Sequence, residues 1–240
     1  MAFRAAGKTD AGLMRKENQD SFLVLPDRMV YAIADGMGGH AGGKQASAIA
    51  VEILARELGR DGTIDEDKVD KALETANALI LKEASDKQWE GMGTTLVLAF
   101  CAEGVWRVAH IGDSRAYVVN KGVIYALTRD HSIVGELLAQ GKITREEAKG
   151  HPHRNILTRA LGADGDPKPE WSQVEASDAE YLLLCSDGLY NMVEEGRIHE
   201  IVLSSSQTPD EKVDRLIMEA NRQGGQDNIT VILIAGGDGI

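Results

Sequence analysis

Five aspartates stand beside short apolar runs: Asp20 before Ser21–Leu25, Asp35 after Met29–Ala34, Asp113 after Val105–Ile111, Asp187 after Tyr181–Cys185 and Asp227 before Ile229–Ile234. If strands packed in one core share an edge, these carboxylates converge. Converging carboxylates repel and raise one another's pKa unless a cation neutralises them. Oxygen-only ligation favours hard divalent cations such as Mg²⁺, Mn²⁺ or Ca²⁺. No Cys/His spacing in the chain suits zinc. Taken singly, Asp35-Gly36 and Asp187-Gly188 are ordinary turn dipeptides. It is the recurrence of one pattern that points to a metal site.

Two further residues fit chemistry on a phosphate. Arg15 lies shortly before Asn18-Gln19-Asp20, and a guanidinium can grip two phosphate oxygens as a fork. His40 ends the run Asp35-Gly36-Met37-Gly38-Gly39-His40, whose glycines allow close backbone approach to a ligand. An imidazole there could protonate a leaving alkoxide. On position alone the one is a surface arginine and the other a loop histidine. The glycine-rich turn lacks the Lys-Ser/Thr ending of a P-loop, which argues against a nucleotide site. Cys101 and Arg107 have the spacing of a thiol phosphatase loop, but the intervening Ala-Glu-Gly-Val-Trp cannot form a glycine-rich anion nest.

The elements that must carry these residues are short. Strands are expected over Ser21–Leu25, Met29–Ala34, Thr94–Cys101, Val105–Ile111, Ala116–Val119, Val123–Leu127, Tyr181–Cys185 and Ile229–Ile234. Asn120-Lys121-Gly122 predicts a hairpin. Apolar spacing predicts helices over Lys44–Leu58, Asp67–Ala84 and Asp210–Arg222, the last opened by the capping box Thr208-Pro209-Asp210-Glu211. The first two helices are expected to form an antiparallel hairpin. Consecutive strands with helices inserted in groups argue for an α+β fold with largely antiparallel sheets. The stretch 130–165 is less regular. It carries a second capping box, Thr144-Arg145-Glu146-Glu147, and is expected to form short helices in a surface insertion.

The chain has 240 residues and a formal net charge of −12, which argues against nucleic acid and anionic membrane as partners. No apolar run approaches the ~20 residues needed to span a bilayer, and the first residues lack the apolar core of a signal peptide. A cytoplasmic protein, monomeric by default, with Cys101 and Cys185 as buried reduced thiols is expected.

Six ordered blocks spread over the chain carry a family resemblance: Gly12-Leu13-Met14-Arg15-Lys16-Glu17-Asn18-Gln19-Asp20, Ala34-Asp35-Gly36-Met37-Gly38-Gly39-His40, Gly91-Met92-Gly93-Thr94-Thr95, Gly112-Asp113-Ser114-Arg115, Ser186-Asp187-Gly188-Leu189 and Asp227-Asn228-Ile229. The sequence resembles the metal-dependent type 2C (PPM) protein serine/threonine phosphatases, in their bacterial branch. The resemblance implies one catalytic domain over 1–240, a four-layer sandwich of two packed antiparallel β-sheets flanked by helix pairs, and a flap subdomain over roughly 130–165. It implies hydrolysis of phosphoserine and phosphothreonine in proteins by attack of a metal-bridged water. Asp35 would bridge two Mg²⁺ or Mn²⁺ ions, Gly36 would ligate through its carbonyl, and Asp187 and Asp227 would hold the first ion. Asp20 would act near the second, largely through water. Asp113 with Asp187 would hold a third, weaker ion. Arg15 would bind the phosphate and His40 would be the general acid. Gln19 stands where many eukaryotic members have glutamate. Partners would be phosphorylated proteins, among them serine/threonine kinases. Two other readings share the aspartate framework: a regulatory phosphatase for one anti-sigma-antagonist phosphoprotein, and an inactive metal- or phosphoprotein-binding module.

Overall fold

Val30, Ala32 and Ala34 are buried on one face of a strand, and Tyr31 and Ile33 are buried on the other. A strand apolar on both faces must be covered on both. The same holds for Leu96, Leu98 and Phe100 against Val97 and Ala99, and for Leu183 and Cys185 against Leu182 and Leu184. This double alternation dictates a stack of layers rather than a single half-covered sheet.

The computed structural model describes residues 3–163 and 167–236, apart from the side chain of His40. The N-terminal half runs β1 (Arg4–Asp10), β2 (Asp20–Leu25), β3 (Val30–Met37), α1 (His40–Leu58) and α2 (Glu66–Lys87). It continues through β4 (Gly93–Thr94), β5 (Leu96–Ala102), β6 (Val105–Ile111), β7 (Arg115–Asn120) and β8 (Val123–Ala126). Then come α3 (Ile133–Ala139), α4 (Arg145–Lys149), β9 (Glu170–Glu175), β10 (Tyr181–Cys185), α5 (Asp187–Tyr190), α6 (Glu195–Val202), α7 (Pro209–Arg222) and β11 (Ile229–Ala235). One sheet has the order β1-β11-β10-β7-β8 and the other β2-β3-β5-β6-β9, with β4 paired to the end of β3. All pairings are antiparallel.

Trp106, Tyr31, Val108, Val118, Leu184 and Ile232 fill the space between the sheets. Ala46, Ala50, Ile53 and Leu54 of α1 and Val69, Leu73, Ala76 and Ile80 of α2 cover the outer face of the second sheet. Ile198 and Ile201 of α6 with Val213, Leu216, Ile217 and Ala220 of α7 cover that of the first. The result is the expected α+β sandwich: helices, sheet, sheet, helices. Both cysteines are buried and unpaired. Among the described residues no helix is long and apolar enough to cross a membrane.

The elements depart from the sequence expectation where tertiary contact overrides local signal. α1 begins at His40, not Lys44, so Gly42 and Gly43 lie inside it. A β-carbon on Gly43 would sit 2.8 Å from the carbonyl carbon of Gly36, so the glycine serves helix-to-strand packing rather than a break. The run expected as Thr94–Cys101 is split at Thr95, whose N–H donates to Asp35 O (2.9 Å) and whose Oγ1 accepts the Asp35 N–H (3.0 Å). β1, β9 and α6 are not evident in the sequence. β1 and β9 are edge strands with mixed or polar composition, held by pairing to β11 and β6. Within 130–165, α3 and α4 realise the expected short helices, and Thr144 and Glu147 form the capping box. Positions 164–165 of that stretch and Gly237–Ile240 of the tail lie outside the described residues. The Asn120–Val123 hairpin turns through Gly122 at φ +97°, a conformation that favours glycine.

Candidate metal centre

Asp20 opens β2 and Asp35 lies on β3, and the two are direct partners in the antiparallel register. Like charges facing each other across a ladder destabilise it. The other sheet brings its own carboxylates to the same place. β10 and β11 are neighbours, and Asp187 follows β10 as the first residue of α5, while Asp227 precedes β11. Asp113 sits in the turn between β6 and β7, which links the two sheets. All five expected aspartates are thereby brought together, each from the end or near-end of a different strand.

Their electrostatics reflect this. Burial pushes the Asp35 carboxyl well above the ordinary range, and the charges of Asp20, Asp187, Asp113 and Asp227 push it further. Burial, then Asp113, Asp227 and Asp20, raise Asp187 in the same way, while Arg15 works in the opposite sense. Asp20 is raised to about 6, mainly by burial and against the hydrogen bonds it accepts. Asp113 is also raised to about 6, by burial and by Asp130. Among the described residues Arg15 is the one cation seated directly on this group: its Nη2 donates to Asp227 Oδ2 at 2.7 Å.

A frame of short polar side chains holds the carboxylates. Ser186 Oγ (2.8 Å) and Thr230 Oγ1 (2.6 Å) both donate to Asp20 Oδ2. Asn228 accepts from the Gln19 N–H (2.8 Å) and donates to Ala11 O and Glu17 O (3.0 Å each), tying the Arg15 loop to the start of β11. Thr95 Oγ1 and Ser114 Oγ are 2.7 Å apart, joining Asp35 to the Asp113 turn. Tyr190 Oη donates to Asp113 O at 3.0 Å, and Arg115 stacks over the Tyr190 ring while its guanidinium donates twice to Asp130, at 2.8 and 2.7 Å. None of these supporting roles is evident from sequence. Ser186, Ser114 and Asn228 adjoin the aspartates in the blocks that carry the family resemblance, and that adjacency is the signal that could have found them. Gly36 is enforced by space: a β-carbon would lie 2.2 Å from Gly43 O and 2.7 Å from Gln19 O.

The residues fit a hard cation. Oδ1 of Asp20 and Oδ1 of Asp187 are buried with no hydrogen-bond donor among the described residues. Such enclosed, unpartnered carboxylate oxygens are costly unless something positive meets them. His40 is the first residue of α1, at the mouth of the same strand as Asp35, and its side chain lies outside the described residues. His110, His131 and Glu170 form a separate cluster with ligand atoms within 4.8 Å of one another. Each imidazole is engaged through one nitrogen or more, while His110 Nδ1 is buried with no hydrogen-bond partner among the described residues. His110 Nε2 donates to Arg129 O (2.9 Å), His131 Nδ1 accepts from the Gly112 N–H (3.2 Å), and the rings stack at 4.5 Å. Burial keeps both neutral, holding His131 down to about 4. The cluster fastens the stretch after β8 onto β6.

Comparison with known proteins agrees with this architecture. The family model described as Protein phosphatase 2C matches residues 14–220. A serine/threonine phosphatase stp of Listeria innocua is 42% identical over 236 residues, covering 95% of this chain and 93% of that protein. Protein phosphatase PhpP of Streptococcus pneumoniae is 39% identical over 234 residues, covering 95% of each. Among solved structures, serine/threonine phosphatase Stp1 from Staphylococcus aureus superposes with a TM-score of 0.91 at 32% identity, over 98% of this chain and 95% of that one. The catalytic domain of the phosphatase PstP in complex with two manganese ions superposes with a TM-score of 0.86 at 35% identity, over 97% of each chain. The sequence blocks, the two-sheet sandwich and the carboxylates gathered at its edge have one common explanation: this chain belongs to the protein phosphatase 2C family.

Proposed function

We propose that this chain is a metal-dependent protein phosphatase that hydrolyses phosphoserine and phosphothreonine in other proteins. The observation that carries the reading is the set of five aspartates, drawn from both sheets, with Asp20 Oδ1 and Asp187 Oδ1 buried and unpartnered among the described residues. In this reading Asp35, the backbone carbonyl of Gly36, Asp187 and Asp227 hold two core ions, with Asp20 beside the second. Asp113 and Asp187 hold a third and weaker one. Mg²⁺ and Mn²⁺ both suit these oxygens, and when bound they supply an acidified water and neutralise phosphate charge.

The chain's own side chains then do the rest. Arg15 Nη2 is engaged with Asp227, which leaves the guanidinium's remaining N–H groups to donate to phosphate oxygens. Its side chain is 57% exposed, so an incoming phosphate reaches it without displacing protein. His40 supplies the proton to the departing serine or threonine oxygen. Thr95, Ser114, Ser186 and Thr230 hold the aspartates in place. The catalytic domain is taken as 1–240, with 130–165 as its flap subdomain, acting in the cytoplasm as a monomer. The substrates are phosphorylated proteins, serine/threonine kinases among them. The supported features of the site, Arg15 on Asp227 above all, favour this reading over an inactive binding module.

The test is turnover of a phosphothreonine peptide with Mn²⁺. EDTA and Asp187→Asn are each expected to lower it by at least about a hundredfold. Full turnover surviving either treatment would overturn the scheme.

A further inference from the structure

Seven large apolar side chains are exposed among the described residues, and two of them, Leu13 (66%) and Met218 (70%), meet in one groove, with Met14 (71%) next to Leu13 in the chain. Leu13 and Met218 line a groove of about 510 Å³ together with Arg215, Glu219, Asn221 and Arg222 of α7. Met218 interrupts what is otherwise the polar face of α7, since Val213, Leu216, Ile217 and Ala220 carry its buried face. An exposed apolar patch with a polar rim marks an interaction surface. Methionine suits one that accepts varied sequences, because its side chain is flexible and polarisable.

The groove adjoins the loop that carries Arg15. Leu13 and Met14 both donate their N–H to Gly225 O (2.8 and 3.2 Å), fixing the loop against the turn that precedes Asp227. Two residues further on, Arg15 bonds Asp227. Leu13 and Arg15 are two residues apart, which extended chain spans in about 7 Å, so a polypeptide with its phosphoryl group on Arg15 has neighbouring side chains within reach of Leu13. The rim supplies a charge as well. Glu219 is met by Arg222 (2.6 Å) and Arg197 (3.5 Å), whereas Arg215 bonds only the neutral Gln207 Oε1 (2.9 Å) and has no carboxylate partner among the described residues. On a chain of net charge −12, an uncompensated guanidinium on the rim of the groove favours an acidic partner.

We propose that this groove docks the substrate polypeptide, taking an apolar side chain near the phosphorylated residue while a neighbouring carboxylate meets Arg215. The proposal rests on the phosphatase reading and adds a substrate preference to it. It is tested with three phosphothreonine peptides, which carry leucine and glutamate, serine and glutamate, or leucine and lysine at the flanking positions, and with p-nitrophenyl phosphate, which is too small to reach the groove. The wild type is expected to favour the leucine–glutamate peptide over its serine counterpart by about tenfold in kcat/KM. Met218→Gln should erase that preference. Arg215→Glu should reverse the choice between glutamate and lysine, which a merely structural defect would not do. Both variants should hydrolyse p-nitrophenyl phosphate at the wild-type rate. Unchanged peptide preferences in both variants would overturn the proposal and leave the phosphatase reading standing. So would a wild-type dimer in sedimentation that Met218→Gln dissolves, since a second copy would then fill the groove. A wild type inert toward p-nitrophenyl phosphate in Mn²⁺ would overturn the phosphatase reading and the docked substrate with it.

Discussion

The space between the two sheets and the edge where their strands end are built from the same strands on opposite principles. Between the sheets, Tyr31, Ile33, Val97, Trp106, Leu184 and Ile232 are close-packed and apolar. At the edge, the ends of the same β3, β10 and β11 bring in Asp35, Asp187 and Asp227, which repel one another and include an enclosed oxygen without a donor among the described residues. Apolar burial in the layered interior offsets the repulsion at the rim. The contrast teaches that the edge is strained by its own carboxylates and would be relaxed by a bound cation, while the interior owes nothing to a ligand.

The sharpest way to break that contrast is to damage the interior. Trp106→Ala removes a side chain that is 1% exposed and packed edge-on to Phe3. It is expected to lower stability by about 3–5 kcal/mol in urea unfolding, equally with EDTA or Mn²⁺. At the edge the sign should invert. Asp187→Asn removes one of the repelling charges, so the EDTA-treated variant is expected to be more stable than wild type by about 1 kcal/mol, although it no longer turns over phosphopeptide. A destabilised variant in EDTA would show that the edge is not strained.

The third prediction uses pH. Asp20 and Asp113 sit at about 6 in the folded chain, above the ordinary aspartate value. The folded state therefore binds these protons more tightly than the unfolded one. Their stabilisation is fully present below the unfolded value of about 3.9 and is lost as pH rises through about 6. His110 and His131, held neutral by burial, act oppositely, disfavouring the folded chain as pH falls below about 6.5. The measurement is accordingly the difference in melting temperature between wild type and Asp20→Asn, with EDTA, at pH 5 and pH 7.5. Wild type should gain on the variant at the lower pH, and saturating Mn²⁺ should remove that gain, because a cation favours the ionised carboxylates. The smallest effect belongs to Ser186→Ala, which removes a hydrogen bond that favours the charged form of Asp20. It should move this transition upward by about half a pH unit.

Much of this was legible in the chain itself, for reasons that can be named. Consecutive short strands and three amphipathic helices foreshadow an α+β fold with antiparallel sheets, the family resemblance implies the four-layer sandwich, and aspartates beside apolar runs foreshadow a charged edge. Convergence was not legible, because it depends on which strands become neighbours. Nothing local says that β10 lies beside β11, or that Asp20 faces Asp35. The edge strands β1 and β9 hide because pairing, not composition, makes them strands. The start of α1 at His40 hides because Gly42 and Gly43 read as breakers until β3 is packed against them. Ser186, Thr230 and Asn228 hide because hydrogen bonds between residues as far apart as 20 and 230 have no periodicity.

The pairing of Asp20 with Asp35 across β2 and β3 has a consequence for how the chain reaches its native form. A slip of one residue between these strands would turn Asp20 toward the opposite face and part it from its partner. Such a misaligned hairpin could still bury much of its apolar surface, but it would present no joint seat for a divalent ion. If Asp20 and Asp35 share one divalent ion, as proposed above, a cation present during folding would act as a proofreader of strand alignment, rewarding only the molecules in which the two ribbons are correctly zipped.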